Sequence, residues 1–511
     1  MHPRRRHPAA AASLAVLLLV AAGSARADGF RDGVRDVLGP SFEDSARRHR
    51  RPPEPEAGVD AVRRWNRIAI DASGLDHTPV APGESRVFGE QIGPGRSARA
   101  MAIVHIAIFD AVNSITGGYR SYTRLRRALP GTSFGAAVAQ AGHDTLAALF
   151  PSQAERFDAL LAEDLAAIRD GSGKARGVAL GRRAAAAILA LRAHDGSHHK
   201  EPGMNTDYVP GDAPGVWRQD PISQSPVALG AHWGEVEPFV LRSGDQYRLP
   251  PPPALDSPEY AAAFAEVQAL GGDGVVTPTL RTPDQTEAGI YWAYDGTPSL
   301  CAPPRLYNQI AVHIADQKGT GAVALARLLA LVNTSLADAG VAAWDSKYHY
   351  AFWRPVAGIR ESEPGTGPTG LGDDNPDTLG DPDFSPLGAP ASNLTGPNFT
   401  PPFPAYPSGH ATFGGALFET LRNFYGTDAI AFTFVSDELN GVTVDNEGNV
   451  RPLLPRSFSS LSEAEEENGQ SRIYLGIHWV FDKTEGIAQG RRVADAVFRK
   501  AFTREREHHR R

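Results

Sequence analysis

The sequence predicts an all-α protein: two helical bundles side by side, with long Pro/Gly-rich surface loops and minimal β structure. Two observations lead there. Apolar residues recur at helical spacing in one segment after another, separated by short Gly, Ser or Pro breaks. The segments also fall into two sets, parted by a loop-rich stretch over 196–256 that contains "PGDAPGVW". At 511 residues, 41% hydrophobic and 22% charged, the chain is an ordinary globular sequence able to bury a large core.

Residues 1–27, "MHPRRRHPAAAASLAVLLLVAAGSARA", combine a basic start, a short apolar run and an A-x-A end. This is the pattern of a secretory signal, so a secreted or periplasmic protein is expected. Removing four arginines with it takes the net charge from −8 to −12. A chain that acidic is not a general nucleic-acid binder, and an anion site on it needs locally concentrated cations. No other stretch reads as long and apolar enough to span a membrane. The single Cys301 excludes an intramolecular disulfide framework, a CxxC redox pair and a zinc ribbon.

Residues 28–58 read as a flexible, proline-dotted lead-in. The N-terminal bundle, 59–256, takes its helices from "SARAMAIVHIAIFDAVNSITGG", "FGAAVAQAGHDTLAALF", "PSQAERFDALLAEDLAAIRDG" and "KARGVALGRRAAAAILALRAHDG". The C-terminal bundle, 257–503, runs from "SPEYAAAFAEVQALGG" through "TEAGIYWAYDG" and "RLYNQIAVHIADQKG" to the long "GAVALARLLALVNTSLADAGVAAWDSKYHYAFWRP". A Pro, Gly, Asp and Asn-rich surface loop is expected over 361–402, a β-prone piece at "GVTVDNEGNV", then the last helices and a basic tail, 504–511.

Three separated segments hold the chemistry. In "KYHYAFWRP", Lys347 and Arg354 are seven apart, one face of a helix that Pro355 is expected to end. In "PFPAYPSGHATFGGALFETLRNFYG", Pro-Ser-Gly-His precedes a helix whose apolar stripe is Phe413, Leu417, Leu421 and Phe424, with Gly426 as its stop. That helix start offers unpaired N–H groups to an anion. In "SRIYLGIHWVFD", His478 and Asp482 are i, i+4 neighbours, placing the carboxylate to orient the imidazole. Singly, each piece is a surface pair, a helix cap or a core histidine. Together, three cations (Lys347, Arg354, Arg472), an N–H-rich helix start and two histidines fit a tetrahedral oxyanion. "HDGSHHK" (His194, His198, His199) looks like a metal cluster but reads as solvated surface, and His349 points away from Lys347.

K-x6-R-P, P-S-G-H and S-R-x5-H-x3-D, in this order, resemble the signature of the type-2 phosphatidic acid phosphatase and vanadium haloperoxidase superfamily. All three blocks match, in the C-terminal third, with a generous gap of 60 residues between His410 and Ser471. The helical halves ahead of them resemble the long, two-bundle haloperoxidase branch. The resemblance implies that Lys347, Arg354 and Arg472 neutralise the oxygens of vanadate, or of phosphate in its place, and that Ser408 and the Gly409 N–H complete the cradle. It implies His478 as the axial vanadium ligand, or as a phosphatase nucleophile, and His410 as general acid/base. Asp295, in "YWAYDG", sits where the family has an acidic partner for the second arginine. Phe403 and Trp344 match the chloroperoxidase-like pattern of aromatics at a halide site.

The leading expectation is a secreted vanadate-dependent haloperoxidase that oxidises chloride or bromide with hydrogen peroxide to hypohalous acid. Two other readings use the same pocket: an acid phosphatase working through phosphohistidine, and a non-catalytic oxyanion-binding protein of the envelope. A mere binder has no need of His410. Peroxide and halide are the expected partners, with a small organic acceptor and a second copy of the chain as further candidates.

Overall fold

The computed structural model describes residues 61–505 together with the short strand β1, Glu43–Asp44. The expected signal at 1–27, the rest of the lead-in and the end of the basic tail lie outside the described residues. The N-terminal helices are α1 (Ala61–Asp76), α2 (Gly93–Thr116), α3 (Phe134–Leu149), α4 (Ala154–Ala166) and α5 (Ser172–Leu191). After the loop-rich stretch come α6 (Pro258–Leu270), α7 (Pro283–Tyr291), α8 (Pro304–Gln317), α9 (Ala322–Tyr350), α10 (Pro355–Arg360), α11 (Gly409–Tyr425), α12 (Leu461–Tyr474) and α13 (Val480–Lys500). The chain is all-α, as its periodicity predicts. Local chemistry sets several starts: Ser133, Ser257, Ser408 and Ser460 cap their helices, and Thr282 with Gln285 forms a capping box.

α1 is the helix that the sequence reading passed over, although Val62, Trp65, Ala69 and Ala72 form a buried stripe. α9, 29 residues long, packs against α2, α11 and α13 and is the axis of the molecule. One apolar core runs from Val62 to Phe502 through helices of both halves. The chain also returns on itself at the far end, where Arg120 N donates to Thr503 O at 2.8 Å and Glu505 N to Gly118 O at 3.0 Å.

Three expectations are corrected here. α2 and α9 are both long and apolar enough to cross a membrane, with 94% and 78% of their most apolar windows buried inside the protein. They are apolar all round because each is surrounded by other helices. The 361–402 segment is not simply a surface loop: Ala389, Ala391, Leu394 and Phe399 are buried against Leu475 and Ile477. Its strand β2, Leu394–Thr395, pairs antiparallel with β1. Finally, "GVTVDNEGNV" is mostly turn, with Asp445 accepting from Glu447 N and Asn449 N. The strands flank it: β3 (Phe432–Asn440) and β4 (Leu453–Phe458) form an antiparallel hairpin in which Phe432 pairs with Phe458.

Candidate active site

α11 begins where the sequence places it. Ser408 is the N-cap, its buried Oγ accepting from Ala411 N at 3.4 Å, and Gly426 closes the helix in the left-handed region at φ 72°. Phe413, Leu417 and Leu421 are buried and Phe424 is half-buried. A Cβ on Gly409 would sit 3.3 Å from the Trp344 ring, a tight contact that glycine avoids at this helix start.

Lys347 and Arg354 are not on one helix. α9 ends at Tyr350, Ala351 turns left-handed (φ 45°), and Arg354 is the residue before α10, whose first residue is Pro355. The proline opens a helix here instead of ending one, because its missing N–H is harmless at that position. The bend still brings both cations to the segment before α11. Lys347 Nζ donates to Pro404 O (2.8 Å), Ala405 O (3.0 Å) and Pro407 O, which uses all three of its protons. Arg354 donates to Phe403 O (2.9 Å), Ile477 O (2.7 Å) and Pro401 O (3.3 Å), and through Nη1 to His478 Nε2 (2.9 Å).

His478 and Asp482 meet, though across a helix start and not along a helix face. Asp482, in the first turn of α13, accepts from His478 Nδ1 (2.7 Å) and Trp479 N (3.0 Å) through the same oxygen. Nδ1 therefore carries the proton, and the Nε2 lone pair accepts from Arg354 Nη1 on the cradle side. Arg472, in the last turn of α12, donates Nη2 to Asp295 Oδ1 at 2.6 Å, both side chains almost fully buried. His410 Nε2 donates to the Ala293 carbonyl, with Asp295 Oδ1 4.0 Å away.

Electrostatics set this cluster apart. Burial, reinforced by Arg354, drives Lys347 well below the lysine range and His478 well below the histidine range. Burial and then Arg472 do the same to His410, and burial lowers Arg354 to about 9. Burial raises Asp295 and lifts Asp482 to about 7. Burial thus works against the charged forms of all these groups, and an added anion beside Lys347 and Arg354 would favour their charged forms again. Among the described residues, Arg472 Nε and Nη1 are buried without a hydrogen-bond partner. Buried guanidinium donors are rarely left so, and the Nε and Nη1 protons are available to the oxygens of an added oxyanion.

Trp344 and Phe403 are both buried, with ring centroids 5.0 Å apart. Lys347 Nζ and Arg354 Cζ each lie 5.0 Å from the Phe403 ring. These rings, with Leu229, His410, Phe413 and, from the N-terminal half, His77, line one cavity. His77 was not singled out by sequence, and no spacing signals it. Nor were Tyr307 and Asn468, which donate to the His410 carbonyl at 3.0 and 2.9 Å. Asn468 had a findable signal, since it lies one turn before Arg472 on α12. His194 and His198 are exposed and His199 half-buried, and among the described residues no cluster of His, Cys, Asp and Glu is arranged to hold a metal ion.

Known proteins share this architecture. The family model for the VCPO second helical-bundle domain matches residues 327–505. The vanadium chloroperoxidase of Curvularia inaequalis is 32% identical, over 84% of this chain and 80% of that protein. A bacterial vanadium-dependent iodoperoxidase superposes with a TM-score of 0.67 at 22% identity, covering 88% of this chain and 100% of that one. A holo-type bacterial vanadium-dependent chloroperoxidase gives 0.61 at 16% identity, covering 88% and 98%. These two structures carry the fold, and the identity to the Curvularia protein over most of both chains carries the kinship: the chain belongs to the vanadium haloperoxidase family of peroxidases.

Proposed function

We propose that this protein binds vanadate in the Lys347–Arg354–Arg472 cradle and uses hydrogen peroxide to oxidise halide to hypohalous acid. The observation that carries the reading is the buried pair of unpartnered Arg472 donors beside a histidine whose Nε2 faces the same cations. The donor set fits a tetrahedral oxyanion, so the residues suit vanadate. When bound, pentavalent vanadium supplies a Lewis acid that activates peroxide without changing oxidation state.

The chain's own groups have separable tasks. Arg354, Arg472, the Ser408 hydroxyl and the Gly409 N–H would hold the oxygens of vanadate, and His478 Nε2 would supply the ligand atom to the metal. His410, with Nε2 tied to the Ala293 carbonyl, keeps Nδ1 as the nitrogen that accepts and returns a proton. Lys347 contributes its charge while its protons hold the 404–407 segment in place. Phe403 and Trp344 keep the neighbourhood of that charge dry, which supports chloride as a substrate beside bromide.

A second reading, an acid phosphatase with His478 as nucleophile, draws on the same unpartnered Arg472 donors, since phosphate has the shape and charge of vanadate. The two separate in one experiment. Apo protein with orthovanadate, peroxide and halide is expected to halogenate a dye, and to hydrolyse a phosphate ester far more slowly without vanadate. Ester hydrolysis with no halogenation would make the phosphatase reading the right one. The signal-like N-terminus supports a secreted or periplasmic site of action, tested by finding the mature protein outside the cytoplasm.

A further inference from the structure

The long gap between the second and third signature blocks is filled, past α11, by the β3–β4 hairpin. Three consecutive β3 residues grip the segment that follows α7. Ser436 Oγ donates to Tyr291 O at 2.7 Å, Asp437 N donates to the Tyr294 hydroxyl at 2.7 Å, and Glu438 Oε1 accepts from Tyr294 N at 3.2 Å. Glu438 is fully buried, and its other oxygen accepts from Ser392 Oγ at 2.6 Å and from Arg451 Nη1. Asp437 is held in turn by Arg305 Nε (3.0 Å) and Gln309 Nε2 (2.9 Å).

Between these anchors Tyr294 is in the left-handed region, φ 49°, which a bulky side chain adopts only when its surroundings impose it. The residues on either side of that turn both serve the cradle. Ala293 gives its carbonyl to His410 Nε2, and Asp295 gives its carboxylate to Arg472. The first contact decides which imidazole nitrogen is protonated. The second fixes the Arg472 guanidinium through Nη2 and leaves its Nε and Nη1 protons for an anion.

The geometry points to Glu438 as a positioning residue for the oxyanion site. Through Tyr294 N it holds the left-handed turn that sets the His410 tautomer and the orientation of Arg472. The inference rests on the oxyanion reading of the cradle but not on halide chemistry. Groups that orient a site's binding residues typically matter about ten- to a hundredfold in affinity or activity.

The test measures equilibrium binding of inorganic phosphate and of orthovanadate to the full apo chain, with melting temperature alongside. Glu438→Leu is expected to weaken both anions about tenfold or more. Glu438→Gln, whose amide oxygen still accepts from Tyr294 N, should stay within about threefold of wild type, rescuing the contact without the charge. Arg451→Met breaks the same buried ion pair and should lower the melting temperature, yet it leaves the Glu438–Tyr294 bond and should also stay within about threefold in affinity. Unchanged affinity in Glu438→Leu, or affinity that follows melting temperature across all three variants, overturns the inference. Should Glu438→Leu fail to fold, Glu438→Met carries the test, because it removes the same acceptor of Tyr294 N with a longer, more adaptable side chain. Weaker anion binding is expected there, and wild-type affinity would overturn the role. Wild-type protein that binds neither anion sinks the cradle and this inference together. Wild-type protein that binds vanadate without turning over halide sinks only the haloperoxidase reading.

Discussion

Asp482→Asn should move stability and oxyanion affinity in opposite directions. Burial lifts the Asp482 carboxyl from 3.8 to about 7 in the anion-free protein. The folded state therefore holds a proton that the unfolded state has released, across roughly pH 4 to pH 7. Stability contributed by this group is present below that window and lost as pH rises through it. About three units at 1.36 kcal/mol each bound the loss at about 4 kcal/mol. Asparagine never ionises and escapes the loss. Affinity goes the other way, because one Asp482 oxygen accepts from both His478 Nδ1 (2.7 Å) and Trp479 N (3.0 Å). An amide oxygen is a weaker acceptor, and its NH2 group stabilises the tautomer with Nε2 protonated, the wrong one for a ligand. Exchanging a charge-assisted bond for a neutral one is worth about 1–1.5 kcal/mol, roughly tenfold in vanadate Kd. Denaturant melts of the anion-free proteins from pH 4 to pH 8 should show the variant gaining on wild type as pH rises, while equilibrium dialysis shows weaker vanadate retention. Parallel stability curves, or an unchanged Kd, would refute the reasoning.

Three further outcomes follow from the site. His478→Ala should keep the fold but fail to retain vanadate in dialysis, and full retention would remove His478 from the ligand role. Lys347→Met should lower kcat at saturating vanadate by roughly a hundredfold or more, the size of loss seen when a group that stabilises developing negative charge is removed, about 3–4 kcal/mol. It should also lower the melting temperature, since the carbonyls of 404–407 lose their shared donor; a normal kcat with only the melting change would make Lys347 a staple and nothing more. Phe403→His puts a polar ring where two cations lie 5.0 Å from the present one. It should depress kcat/KM for chloride sharply and for bromide little, and an equal fall for both would mean that Phe403 only packs.

Much of the site is legible in the sequence because its chemistry is concentrated in short blocks. Ser408 at a helix start, the Phe413–Leu417–Leu421 stripe and the His478–Asp482 pairing depend on neighbours a few residues away. The Arg472–Asp295 pair followed from kinship, since nothing local links residues so far apart. What was missed depends on tertiary context. Ala351 adopts a left-handed turn that alanine does not announce, so Lys347 and Arg354 read as one helix face. His410 is tied to the Ala293 backbone carbonyl, and no side-chain pattern can reveal a carbonyl's direction. The β3–β4 hairpin, with Asp437 and Glu438 in its first strand, carries the charges of a loop and is a strand because it closes on the Tyr291–Tyr294 segment.

The central claim is that the cradle is an oxyanion site used for halide peroxidation. The most direct measurement titrates orthovanadate into apo protein and follows peroxide-dependent bromination and chlorination of a dye at each point, with inorganic phosphate as competitor. The account predicts activity that rises from zero and saturates near one vanadate per chain, with phosphate raising the apparent Kd and leaving the plateau unchanged. Halogenation that is absent at every vanadate concentration, or that ignores phosphate, would contradict it.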